Sequence, residues 1–286
     1  MFLLWLRLTA VLPWRVAIGL HKGLGRLAGR LLSGRRFIVR RNLEICFPNL
    51  DAKQIEALTT RQFENVGAFL AEIAISWFAA PKRFAHLFRI EGIEHVHAAL
   101  ARGKGVVLFS GHFTPLEICV PVIKSLVPLF AYMFRVRHNA LLNEFQSRCR
   151  ERAAHVALCN DDVRAMLRLL QQNAVVWYAP DQARIDSGEP LPFFGEPAMT
   201  STAPSRLARL TGAAIIPLFY CRLPDDSGYL MRFHAPLEGL PTDDATKDTI
   251  RLISVLEAFV RECPAQYLWT HRKFKDRPAD LPDAYA

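Results

Sequence analysis

Between residues 54 and 80, apolar side chains recur at helical spacing. Phe63, Val66, Phe69, Leu70, Ile73 and Trp77 fall on or near one face, which predicts a long amphipathic helix over Gln54 to Ala80. Beyond it the pattern changes to short apolar runs bounded by turn residues. Such runs predict strands at Gly105 to Ser110, Leu129 to Val136, His155 to Leu158, Val175 to Ala179, Ile215 to Arg222 and Tyr229 to His234. Helical patterns separate them at Ala140 to Ala154, Asp162 to Gln172, Pro204 to Thr211 and Lys247 to Glu262. Alternation of this kind predicts an α/β fold with a single mixed sheet. No internal repeat or low-complexity linker interrupts it.

The first forty residues read differently. MFLLWLRLTAVLPWRVAIGL followed by HKGLGRLAGRLLSGRR mixes Leu, Trp and Phe with Arg and Lys, as helices lying in a membrane interface do. A spanning helix requires about 18 or more consecutive apolar residues, and Arg7, Pro13 and Arg15 break the run before that length. A cleaved signal peptide is disfavoured by the absence of a basic start and of a small-residue cleavage site. The expected organisation is a basic, apolar membrane-anchoring helical segment over residues 1–41 and a catalytic domain over residues 42–286. An ordinary amphipathic core helix is the alternative for the first segment.

Charge sharpens this division. Of the 286 residues 36 are Lys or Arg and 27 are Asp or Glu, a net charge of +9. Nine basic residues (Arg7, Arg15, Lys22, Arg26, Arg30, Arg35, Arg36, Arg40, Arg41) precede the first acidic one, Glu44, so the N-terminal segment carries the whole excess. Partners with negative charge are implied, and the anionic surface of a membrane is one. Nucleic acid is not expected, because the segment has neither an aromatic stacking platform nor a binding-module motif. With 51% hydrophobic and 22% charged residues the chain is neither disordered nor collagen-like. Its six cysteines are scattered without a C-x-x-C pair, as reduced core thiols are.

The chemistry concentrates in GVVLFSGHFTPLE, where a buried strand leads into His112, with Glu117 five residues later. A hydroxyl is a poor nucleophile until deprotonated, and His112 can take its proton while a carboxylate orients the ring. Glu117 has two readings that can coexist: partner of the imidazole, or last residue of a Thr114 to Glu117 capping box with Pro115 at the first helical position. G-x-S-x-G, H-E-x-x-H, P-loop and G-x-G-x-x-G motifs are absent from the sequence. His95 and His97 form an H-x-H pair, but Glu91 and Glu94 nearby suit a solvated face better, and no metal is expected.

GHFTPLE resembles the His-x4-Asp/Glu signature of the lysophospholipid-type acyltransferases. The surrounding segments resemble the branch that adds secondary acyl chains to lipid A, the lauroyl and myristoyl transferases. In order along the chain these segments are RRNLEICFPNL, FRVRHNALLNEF, VVWYAPDQ, LPFFGEPAMTSTAPSRLARLTGAAIIPLF and QYLWTHRKFKDRP. The resemblance implies a glycerol-3-phosphate-acyltransferase-like domain with His112 as general base and Glu117 as its carboxylate partner. It further implies substrate-binding roles for Arg135, Asn139, Arg150, Asp181 and Arg206, with phosphate or oxyanion contact as the use of Arg135, Asn139 and Arg150. Bland readings stand beside these: a solvated helix face for Arg150, a turn or cap for Asp181. Ala183, where many relatives are acidic, and Thr114, Pro115 and Leu116, where many have Gly-Asn-Trp, bear on substrate rather than on reaction type.

The reaction so implied moves a fatty acyl chain from acyl carrier protein, as co-substrate and with no other cofactor, to a hydroxyl of a lipid A precursor of the Kdo-lipid IVA type. It implies a bacterial inner-membrane location, the catalytic domain on the cytoplasmic side. Inner-membrane phospholipids, the precursor and acyl carrier protein are the expected partners. Arg7, Arg15, Arg272 and Lys273 are the expected membrane or phosphate contacts. Arg135, Arg137, Arg206, Arg209 and Lys275 add candidate docking charge, while Phe109, Phe113, Tyr132, Phe134, Phe193 and Phe194 are candidates to line an acyl groove. The His/carboxylate pair would equally serve a lysophospholipid, glycolipid or aminolipid acceptor. A catalytically silent lipid-binding protein is the reading from another class.

Overall fold

The computed structural model describes residues 2–134, 140–159, 162–183, 185–278 and 280–286. Three helices open it: α1 (Phe2–Val11), α2 (Trp14–Leu31) and α3 (Ser33–Cys46). The break after α1 is Pro13, which is extended at φ −55° and ψ 139° and begins α2. The long helix α4 (Ala52–Phe78) follows, started by a capping box in which Asp51 accepts from the Gln54 N–H and the Gln54 side chain returns to the Asp51 N–H. Residue 41, expected as a boundary, lies inside α3, and Ile18, Ile38, Val39 and Leu43 share one core with the sheet.

The sheet elements then alternate with helices. They are β1 (Phe88–Glu91), α5 (Ile93–Leu100), β2 (Val106–Phe109), α6 (Leu116–Leu126), β3 (Phe130–Phe134), α7 (Ala140–Ala153), β4 (Val156–Cys159), α8 (Val163–Gln171) and β5 (Val175–Tyr178). A hairpin of β6 (Glu189–Phe193) and β7 (Glu196–Thr200) precedes α9 (Ala203–Thr211), β8 (Ala214–Arg222), β9 (Tyr229–Phe233) and α10 (Ala245–Glu262). Seven strands form one sheet in the order β1-β9-β8-β2-β5-β3-β4, with β8 and β9 antiparallel and every other pair parallel. The expected mixed sheet is therefore present.

All four residues of β2 and all nine of β8 are buried, as central strands covered on both faces must be. Two sheet elements had no legible signal. Alternating β1 carries Arg89 and Glu91 at the sheet edge, and the two-stranded hairpin contains Pro190, Pro192 and Pro197, which only an edge tolerates. Its two-residue turn, Phe194 and Gly195, has φ of 53° and 82°, the left-handed pair that matches strand twist.

Helix α2 lies against α4 with backbone on backbone. A Cβ on Gly25 would come within 2.1 Å of the Phe63 carbonyl oxygen, and one on Gly67 within 2.0 Å of that of His21. Burying this small-residue face leaves Val16, Leu20, Leu24, Leu27 and Leu31 exposed as an apolar ridge on the opposite side. Arg15, Arg26 and Arg30 flank it, also exposed. Among the described residues no helix is long and apolar enough to cross a membrane.

The crossing generates a prediction of opposite signs within one region. Gly67→Ala must push two backbones apart and is expected to cost about 1–3 kcal/mol or more. Gly23→Ala, on the open face of α2 with nothing within 4 Å of its added Cβ, is expected to stabilise by up to about 1 kcal/mol through helix propensity. Chemical denaturation of the two variants reads both signs; equal effects would contradict the close contact.

Candidate active site

Strands β2 and β5 are parallel neighbours in the register Val106↔Val175 to Phe109↔Tyr178. Each continues into a loop at its C-terminal end, the edge where open α/β sheets place their chemistry. The third residue beyond the paired Phe109 is His112, and the third beyond Tyr178 is Asp181. The register thus delivers the two side chains to the same place, and His112 Nδ1 lies 2.6 Å from Asp181 Oδ1. The His112 N–H also donates to Asp181 Oδ2 at 3.0 Å. Gly111 permits this approach, since a Cβ there would meet Leu256 at 2.5 Å and Asp181 Oδ2 at 3.3 Å.

Asp181 is 1% exposed, and such a carboxylate is stable only with partners. Besides His112 it accepts from the Tyr267 hydroxyl at 2.7 Å, and Lys273 Nζ donates to its backbone carbonyl at 2.6 Å. Burial pushes its carboxyl up, but the His112 charge and hydrogen bonds and the Lys273 charge outweigh that and hold it well below the usual carboxylate range. With Nδ1 donating to an ionised carboxylate, Nε2 is the basic nitrogen of the ring. The ring, 30% exposed, lines a cavity of about 210 Å³ together with Tyr132, Phe134, Tyr178, Gln182 and Ser201.

Tyr267 is brought in by a short antiparallel contact. The Leu268 N–H donates to the His112 carbonyl and the Thr114 N–H to the Gln266 carbonyl, both at 2.8 Å, with Phe113 and Tyr267 paired between them. Neither Tyr267 nor Gln182 was singled out from the sequence, although both lie in segments that carry the family resemblance.

Glu117 is not the carboxylate on the imidazole. It is buried in the first turn of α6, where Arg150 of α7 donates to its Oε1 at 2.8 Å, the Trp77 indole N–H reaches Oε2 at 3.4 Å, and Ser76 Oγ donates to its backbone carbonyl. Phe113 pairs with Tyr267 and the chain turns at Thr114 and Pro115 before α6 begins, and the His112 ring is engaged by Asp181 rather than by Glu117. Nor does the capping box form: Pro115 takes the cap position without a side-chain bond, and Thr114 Oγ1 has no partner among the described residues.

Other expected residues distribute as follows. Arg150 is mostly covered and pairs with Glu117 rather than lying on a solvated face, with its guanidinium 5.8 and 5.5 Å from the Tyr132 and Phe134 rings of the cavity wall. Arg206 is exposed on α9 and ion-pairs with Glu189 at 3.3 Å, away from the cavity lining. Lys273 is buried behind Asp181 and over the Phe193 ring, so it is not free to contact a membrane phosphate. Arg7, Arg15 and Arg272 are exposed. Arg135, Arg137 and Asn139 lie outside the described residues. Of the expected aromatic groove, Phe109, Phe113 and Phe193 are packed core, while Tyr132 and Phe134 line the cavity. His97 Nε2 is engaged by the Leu126 carbonyl oxygen at 3.0 Å, and Glu91 by Arg232.

Comparison with known proteins decides the family. Residues 1–276 match the sequence pattern of the bacterial lipid A biosynthesis acyltransferases. The chain is 35% identical over 285 residues to the lipid A biosynthesis lauroyltransferase of Escherichia coli (strain K12), covering 99% of this chain and 92% of that one. The chain belongs to the bacterial lipid A biosynthesis acyltransferases. Within this family it is also 32% identical over 276 residues to the Escherichia coli palmitoleoyltransferase, covering 96% and 90% of the two chains. A lipid A biosynthesis acyltransferase of Haemophilus influenzae is 30% identical over 283 residues, covering 96% and 89%. Membership makes the chain an acyltransferase, and the His112 cavity is the place its geometry offers for that chemistry.

Two predictions follow from the charges around the site. Arg150→Met strands the Glu117 carboxylate in the interior and is expected to cost about 3–5 kcal/mol, part of which Glu117→Gln in the same chain should restore; denaturant titration of the single and double variants checks it. His271, on the same segment as Lys273, is pushed down from 6.5 to about 4 by burial and then by the Lys273 charge. The unfolded chain then binds more protons between those values, so stability falls as pH drops through that window. His271→Gln should flatten the fall in melting temperature by an amount equivalent to at most about 3 kcal/mol, and identical slopes would refute it.

Proposed function

We propose that this acyltransferase moves a fatty acyl chain from acyl carrier protein to a hydroxyl of a lipid A precursor, at the cytoplasmic face of a bacterial inner membrane. The observation that carries the reading is a histidine fixed by a buried, ionised aspartate at the mouth of a cavity, in a chain of this family. The names of its relatives, lauroyl and palmitoleoyl transferases of lipid A biosynthesis, point to the acceptor.

In this mechanism His112 Nε2 takes the proton of the acceptor hydroxyl as its oxygen attacks the thioester carbonyl carbon. The tetrahedral intermediate collapses, the carbon–sulfur bond breaks, and the proton passes from His112 to the departing thiolate. Asp181 holds the ring through Nδ1 and stabilises the imidazolium formed in between. The thioester is already activated, so the steps call on no metal or redox cofactor. Glu117 and Arg150 act as a pair that fixes the cavity wall rather than on the proton itself.

The apolar ridge of α2, continued on α1 by Leu4, Leu8 and Val11, is exposed and flanked by Arg7, Arg15, Arg26 and Arg30. Such a face suits an interfacial position among anionic phospholipids, with the helices lying in the head-group layer and the cavity turned to the lipid. Acyl carrier protein, which is acidic, would meet the basic surface from the aqueous side.

Mass spectrometry of lipids after incubation of the detergent-solubilised protein with acyl-acyl carrier protein and Kdo-lipid IVA tests this. One added acyl chain is expected. Its rate should fall roughly 10²–10⁴-fold in His112→Ala, the usual weight of a general base. Asp181→Asn should fall comparably, since it removes the charge that stabilises the imidazolium. Undiminished turnover in His112→Ala would end the mechanism, and acylation of a lysophospholipid alone would move the acceptor.

A further inference from the structure

A second cavity, of about 740 Å³, runs along the α2–α4 crossing. Leu24 and Ala28 of α2, Leu32 just beyond it, and Phe63, Val66 and Leu70 of α4 form its walls, and Gly25 and Gly67 its floor. There the two glycines bring the helix backbones into contact, and a Cβ on either would strike the facing helix. We propose that this groove receives an acyl chain of the membrane-borne acceptor lipid while the acceptor's hydroxyl lies at His112. The inference rests on the function proposed above.

Three observations lead there. First, the groove opens beside the apolar ridge: its wall residue Leu24 belongs to the ridge, and the wall residues Leu24, Leu32 and Leu70 are 45%, 52% and 37% exposed. A chain leaving a bilayer that covers the ridge enters the groove without crossing water, so apolar surface stays buried throughout. Second, the inner end abuts the catalytic cavity. Gln182, next to Asp181, lines both spaces, and Leu268, whose N–H holds the His112 carbonyl, lines the groove. Third, a cavity of about 210 Å³ beside His112 lies below the roughly 300–1,000 Å³ of pockets that enclose a lipid-sized ligand. Phe109, Phe113 and Phe193 are packed core and add no groove beside it.

Continuity with the ridge selects the acceptor over the donor as the occupant, and the cation at the groove suits its head group. Arg35 lines the groove, exposed and bonded only weakly to the Thr270 carbonyl at 3.3 Å, so most of its donors face outward where an anionic sugar phosphate would sit. In the function proposed above the donor chain arrives on a soluble protein and does not pass through the lipid that covers the ridge.

Photo-crosslinking of the full chain tests the assignment. p-Benzoylphenylalanine replaces Val66 or Leu32, or Leu210 on exposed α9 as control, and each protein is irradiated in phospholipid nanodiscs with Kdo-lipid IVA or with acyl-acyl carrier protein. Adducts of the glycolipid's mass are expected at 66 and 32 and not at 210. Adducts from the donor chain alone, or none at either groove position, would overturn the inference. As a second measurement Ala28→Trp, which narrows the groove, should raise the acceptor KM by roughly tenfold or more with the donor KM unmoved. A folded variant with both constants unchanged, or with both raised alike, would also overturn it. Wild-type protein that acylates Kdo-lipid IVA while these tests fail leaves the function standing without the groove; wild-type protein that never acylates it removes both.

Discussion

A carboxylate with 1% of its surface in solvent is the constraint around which the site is built. Unpaired, Asp181 would take up a proton or destabilise the fold, because a bare charge in the interior is costly. Its donors are the imidazole and backbone N–H of His112 and the hydroxyl of Tyr267, while the Lys273 ammonium donates to the backbone carbonyl of the same residue and adds its charge nearby. Tyr267 and Lys273 come from a segment that has no strand of its own and is kept in place by pairing with residues 112–114. Those contacts fix the histidine by its ring nitrogen and its main chain at once, so little rotational freedom is left in the imidazole.

Helix α4 ties this site to the rest of the molecule. Its middle carries Gly67 against α2, and its last turns carry Ser76 and Trp77 against Glu117. Between them Glu72 meets Arg222 of β8 in a fully buried ion pair, joined by the Tyr229 hydroxyl, while Asn65 accepts from the same guanidinium. Removing both charges from water is expensive, and the arrangement stands because nearly every donor and acceptor is matched. One helix therefore spans the apolar ridge, the sheet and the wall of the cavity.

Much of this could be read from the sequence. The central strands are covered on both faces and so appear as unbroken apolar runs; the periodicity of α4 and of the later helices was equally plain. The polar edge strand β1 and the proline-rich hairpin were not, because their stability comes from neighbours rather than from their own residues. Within the site, His112 stood out and its partner was misassigned. Spacing along the chain favoured Glu117, whereas parallel pairing favoured the residue at the same offset on the adjacent strand. VVLFSGH and VVWYAPD, set side by side, end in His112 and Asp181. That signal is legible once β2 and β5 are known to be neighbours. Nothing local announced that Lys273, in a basic surface-like run, would be buried.

The separation in sequence of the donors to Asp181 also orders their arrival. Tyr267 and Lys273 lie 86 and 92 residues beyond the aspartate they serve. A chain growing on the ribosome exposes the N-terminal helices and their apolar ridge first, then the strands, and only at the end the segment that completes the surroundings of Asp181. The exposed apolar ridge is thus formed while the His112–Asp181 pair still lacks part of its surroundings, so on the proposed function an incomplete chain would have a lipid surface to settle on before it had a reaction to perform.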